Sequence, residues 1–286
     1  GPGEAPQPSA AQLAAWGLPA TASVVPIKNA LALLRPGGEL VLLPGTYEQK
    51  SIEDVLEVRT SGTSRQPIVI RGLSGNTVIR GMRDSTPLET VAPFSTQVNA
   101  TVPPGGHTAH TCLRVEGQAW VEIHNVQFES CGTAIHVSDS HHITVREVAV
   151  TGGRYAVYAE GRGTHHVLLE ASRWTQDPAG HMWARNHWCE YKYGAYADMN
   201  GALFGSRDIT GNVIIRHNVV RHAFNAIRTD ISKRLRSDAR LRGELSVNFH
   251  IHDNRFEFVR DNVVEPEFDA VNWWIHDNQI HNAHAW

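Results

Sequence analysis

The chain of 286 residues holds only three cysteines, Cys112, Cys131 and Cys189. That is too few for a disulfide framework, and their spacing is not that of a zinc site. Buried free thiols are favoured over one bridge with a leftover. No apolar run approaches the roughly 20 residues that span a bilayer, so membrane insertion is not expected. Neither sign of charge dominates, at a net −3, and nucleic acid is not an expected partner. Lysine is absent after Lys233. A signal peptide is missing too, but the opening Gly-Pro-Gly resembles the remnant of a cleaved tag. A secreted or periplasmic protein whose leader has been removed is therefore the expectation. Stretches with helical periodicity are scarce as well.

What is present is a repeat. The tetrapeptide Ile-His-Asp-Asn stands at Ile251–Asn254 and again at Ile275–Asn278. Six windows of eight residues align with it, starting at Val121, Ile143, Val167, Val213, Phe249 and Trp273. Their third position is always apolar: Ile123, Val145, Leu169, Ile215, Ile251, Ile275. A second apolar column, Leu113, Ile135, Val157, Leu203, Ile227 and Val263, keeps the same period. Steps of 22–24 residues recur, with longer ones of 46 and 36. A fixed period of that size, filled with short alternating β-branched runs, signals stacked coils of about three strands each. The sixth window position, with Asn218, Asn254 and Asn278, suggests an amide ladder at a turn that tolerates left-handed backbone. His124, His252 and His276 then point outward as a solvated face.

On these residues the chain resembles the right-handed parallel β-helix proteins of the pectate-lyase-like superfamily. The stretches "LRPGGELVLLPGTY" (34–47) and "SGTSRQPIVIRG" (61–72) are similar to the opening coils of carbohydrate-active members, including alginate and chondroitin lyases. The resemblance implies an all-β solenoid over residues 25–286, after a flexible segment 1–24. A helix at 27–35 would cap its apolar N-terminal end. The last coil ends without a cap, so further coils or a second chain are expected to cover that edge.

Two insertions interrupt the period. Residues 176–200 carry Trp183, Trp188, Tyr191, Tyr193 and Tyr196 with His181, His187 and Lys192. Aromatic faces stack on sugar rings, so this loop is a candidate carbohydrate platform. Residues 232–243 carry Lys233, Arg234, Arg236, Arg240 and Arg242 against Asp238, a local +4. A polyanion would be drawn there, and a uronic-acid polysaccharide fits best. Both insertions border the second column. Its outward neighbours in strict register are Arg114, His136, Tyr158, Phe204, Arg228 and Val264, and two positions on Glu116, Ser138, Glu160, Ser206, Asp230 and Pro266. Tyr158 and Phe204 thus read as a groove wall for substrate, together with Trp183, Trp188, Arg234, Arg236 and Arg240.

An enzyme cleaving uronides by β-elimination needs a cation on the carboxylate, a base for the C5 proton and an acid for the leaving oxygen. Arg228 supplies the first, and Lys192, His187, Tyr193 and Tyr158 are candidate proton carriers. In the β-helix lyases that the chain resembles, a Glu-x-Glu motif binds calcium and a following lysine is the base. Glu265-Pro266-Glu267 matches the acidic part, and no lysine follows it. Strict register turns Glu265 inward, but a one-residue bulge near Val263–Val264 would turn Glu265 and Glu267 outward beside Asp230. These three carboxylates are the candidate Ca²⁺ ligands or catalytic acids; no organic cofactor is implied. A glycoside hydrolase, a C5-epimerase and a non-catalytic binding module are the alternatives on the same scaffold.

Overall fold

In a computed structural model, residues 7–82, 110–178, 200–241, 243–268 and 270–285 are described. Three parallel sheets wrap a common axis as a right-handed parallel β-helix. The first holds eight strands from Glu39–Leu42 to Trp274–His276. The second holds eight from Gly45–Glu48 to Gln279–His281, and the third seven from Leu56–Val58 to Val264–Pro266. Every strand pair is parallel, each strand lying on its counterpart one coil away. No helix among the described residues is long and apolar enough to cross a membrane.

The repeat is built by alternation. Ile123, Val145, Leu169, Ile215 and Ile251 pair in register on the first sheet and are fully buried. Phe128, Trp174, Val220 and Phe256 fill the second sheet's side of the same core. Stacking identical positions lets each coil bury its apolar row against the next, which no single coil could do alone.

The coil corners explain the rest of the repeat. Asn125, Glu147, Ala171, His217, Asp253 and Asp277, the fifth window position, all adopt positive φ between 49° and 56°. Left-handed backbone therefore belongs to the residue before the asparagine column. The asparagines instead point inward, as the ladder required. Asn254 Oδ1 accepts from the Asn218 backbone N–H and Nδ2, both at 3.0 Å, and Asn278 Oδ1 takes the same two bonds from Asn254 at 3.0 and 2.9 Å. A second, exposed ladder joins Asn212, Asn248 and Asn272 at 2.9 and 2.7 Å.

One expectation changes. Cys112 and Cys131 are joined in a disulfide rather than kept as free thiols. They face each other on neighbouring coils with Cα atoms 5.7 Å apart, within bridging range. Cys189 lies outside the described residues. Within the segment expected to be flexible, Ala10–Ala15 forms a helix closed by a Ser9–Gln12 capping box. The capping helix itself runs Ile27–Leu33 and buries Leu31 against the first coil. At the other end Trp274, Ile275 and Ile280 of the last coil are exposed.

Candidate active site

The third sheet carries the charged face, and its register differs from strict counting by one residue at two places. Val157 pairs with Phe204, not Leu203, and Ile227 pairs with Val264, not Val263. The outward row is therefore Arg114, His136, Tyr158, Gly205, Arg228 and Glu265. The row two positions on holds Glu116, Ser138, Glu160, Arg207 and Asp230. The slip near Val263–Val264 that brings Glu265 outward is thus present. A second slip lies at Leu203–Phe204. It exchanges Phe204 for Gly205 and Ser206 for Arg207.

Phe204 is consequently no part of a groove. It is fully buried in the core, 6.3 Å from Phe249. Tyr158 does face outward, yet it is only 3% exposed. Its ring packs on Tyr155 at 4.8 Å and not on open solvent, so it offers no free face to a sugar. Gly205 makes that packing possible: a Cβ there would lie 2.3 Å from Tyr155 and 3.1 Å from Tyr158. Burial pushes the Tyr158 phenol well above its ordinary value; Tyr155 adds to this and Arg207 opposes it. Beside it His136 bonds Glu160 at 3.0 Å.

Arg228 stands between the carboxylates. Its Nε lies 3.2 Å from Glu265 and its Nη2 3.6 Å from Glu267, while Nη1 donates to Asn200 at 3.3 Å. Burial works against its charge, but Tyr155, Glu265, Glu267 and Asp230 together raise its pKa on balance. Asp230 is held from both sides: Arg207 reaches one oxygen at 3.2 Å and Arg236 the other at 2.5 Å, where the Ile231 N–H also donates at 2.8 Å. Arg236 further lies 3.3 Å above the Phe268 ring. Arg236 is thus turned onto the sheet and not toward solvent. Arg240 is chelated by Asp238, whose carboxyl it holds down at about 2. Arg234 remains exposed. Lys192, His187, Tyr193, Trp183 and Trp188 lie outside the described residues.

The carboxylates do not fit a calcium site in this arrangement. Calcium takes six to eight oxygens, whereas Asp230 spends both of its oxygens on guanidinium groups and Glu265 and Glu267 face Arg228. The face also carries two arginines that stay partly open to solvent: Arg207 and Arg228, on adjacent strands, with side chains 40% and 20% exposed. Arg207, Gly205, Tyr155 and Asn200 were missed in the sequence. The third-sheet strands end at Gly117, Asp139, Gly161 and Asp208, all with positive φ. Alignment on those corner residues gives the observed register.

No family model matches the chain, and no curated protein matches it. Solved structures do. An alginate lyase from Paenibacillus sp. str. FPU-7 is 12% identical, covering 91% of this chain and 95% of its own at a TM-score of 0.34. A variant of the PL6 family alginate lyase AlyGC is 12% identical over 91% of this chain and 38% of its own, at 0.41. The catalytic domain of a GH87 alpha-1,3-glucanase in complex with nigerose is 10% identical over 86% and 40%, at 0.30. No family follows from these. The chain spans well under half the length of the latter two, and at such scores the likeness decides nothing about chemistry.

Proposed function

We propose that this protein is a carbohydrate-active enzyme that cleaves an acidic, uronic-acid polysaccharide by β-elimination. The observation that carries the reading is the pair Arg207 and Arg228, set on adjacent strands of one sheet face and partly open to solvent. A uronate carboxylate bound between them has its negative charge neutralised by the two guanidinium groups, which acidifies the proton on C5. The base then removes that proton, its electron pair forms the C4–C5 double bond, and the C4–O bond breaks as the leaving oxygen takes up a proton. Glu267 is the more distant and more exposed of the two Arg228 partners. It is the carboxylate that the substrate would displace. The base falls to Lys192, His187 or Tyr193, and individual substitution assigns it. The Cys112–Cys131 bridge fits an oxidising, extracytoplasmic compartment.

The test is a panel of alginate, pectate and glycosaminoglycans with ultraviolet detection of the unsaturated product. Rising absorbance with the wild type, lost in Arg207→Gln and Arg228→Gln, is expected. New reducing ends without that absorbance would make the protein a hydrolase. Conversion of the uronate at C5 without cleavage would make it an epimerase. Retention without any product would make it a binding module.

A further inference from the structure

The Ile-His-Asp-Asn repeat has an outward half that the amide ladder does not use. His252 and His276 are register partners on adjacent first-sheet strands, and His250 pairs with Trp274 one step before. A ring nitrogen from each of His250, His252 and His276 falls within 4.8 Å of the others. His250 Nε2 and His276 Nε2 are 2.7 Å apart. The aspartates of the repeat complete the arrangement. His252 Nδ1 is 2.7 Å from Asp253 and His276 Nδ1 is 2.7 Å from Asp277.

We infer that His250, His252 and His276 form a binding site for a zinc-type divalent transition metal, with Asp253 and Asp277 orienting two of the ligands. A carboxylate on Nδ1 keeps the proton there, so that Nε2 presents its lone pair. Three imidazoles with a fourth, open position make a site that zinc commonly takes, at Zn–N distances of about 2.0 Å. Tetrahedral ligands at that length stand about 3.3 Å apart, so only small ring rotations separate the present geometry from a bound one. The left-handed corner places each aspartate: Asp253 and Asp277 have φ of 56° and 52°, which sets their side chains against the preceding histidines.

A second group, His142, His165 and His166, also clusters within 4.8 Å. There the Nδ1 atoms are turned on one another, His141 to His142 at 2.8 Å and His165 to His166 at 2.6 Å, and no carboxylate is among these partners. Ligand orientation therefore favours the C-terminal group. Both groups lie on the first sheet, away from the arginine face of the third.

The experiment is equilibrium dialysis of the full chain, free of any polyhistidine tag, against zinc chloride. The double variant His250→Gln/His276→Gln should bind one zinc fewer per chain than the wild type. Zinc should raise the melting temperature of the wild type but not of that variant, because the ligands join two coils. Asp253→Asn and Asp277→Asn, at exposed positions, should weaken zinc binding about 10-fold or more. The inference is overturned if the double variant retains the wild-type stoichiometry and affinity, or if the wild type takes up no zinc. Unchanged affinity in both Asn variants would overturn the orienting role of the aspartates.

Discussion

Replacing Asn254 with alanine tests the ladder that sets the coil spacing. Asn254 is 1% exposed. Its Oδ1 is the acceptor for the backbone N–H of Asn218, itself 1% exposed, and its Nδ2 donates to Ile215 O, His252 O and Asn278 Oδ1. Truncation strands the buried Asn218 N–H, which costs about 1–3 kcal/mol, and removes further bonds with a net worth of about 1 kcal/mol. A loss of about 2–4 kcal/mol is expected. Asn218 Nδ2 keeps Leu169 O, so the damage is confined to one step of the ladder. Asn278→Ala also takes the acceptor from the Asn254 N–H, but Asn278 is half-buried on the last coil, so water can reach that group once the side chain is gone, and this variant should lose less, about 1 kcal/mol. Urea unfolding gives the two differences, and hydrogen exchange at the Asn218 amide gives the local one. Equal losses in the two variants, or unchanged protection at Asn218, would refute the reasoning. Polysaccharide cleavage by the folded fraction should not change in either.

Gly205→Ala should displace the Tyr155 and Tyr158 rings, with a stability loss of about 1–3 kcal/mol from overpacking and a fall in cleavage rate measured on the same panel. Glu267→Gln should lower KM for an acidic polymer by freeing Arg228, whereas Arg228→Gln should raise it; steady-state kinetics checks both. Cys112→Ala with Cys131→Ala should destabilise the chain by about 3 kcal/mol, the entropy of a loop of roughly 20 residues, seen as a lower urea midpoint. The Asp54 carboxyl is held at about 2, first by its hydrogen bond to Lys28, which ties the capping helix to the first coil. Because its pKa is depressed on folding, that tie contributes above about pH 4, the unfolded value, and fades as pH falls toward 2. Lys28→Ala should therefore flatten the acid limb of a stability–pH curve over that window.

The solenoid was legible in the sequence because each coil repeats one apolar pattern. Ile123, Val145, Leu169, Ile215, Ile251 and Ile275 share a column at any reading of the turns. The amide ladder followed too, since Asn218, Asn254 and Asn278 recur at one position. The charged face was legible in part. Arg228 and Asp230 follow Ile227, which keeps the column position that counting gives it, and Glu265 needs only a bulge at Val263–Val264. Phe204 and Arg207 were misplaced because a strand's side chains alternate with a period of two, so one extra residue in the insertion before them exchanges inside and outside. Which groups became partners was decided only by the tertiary structure. Composition made 232–243 a basic loop, but the fold turned Arg236 onto Asp230 and left Arg234 outside. It also brought Cys112 to Cys131 on the neighbouring coil. The repeat alone leaves the histidines a solvated column; stacking, which sets neighbouring coils one strand spacing apart, is what gathers His250, His252 and His276 with Asp253 and Asp277 in one place.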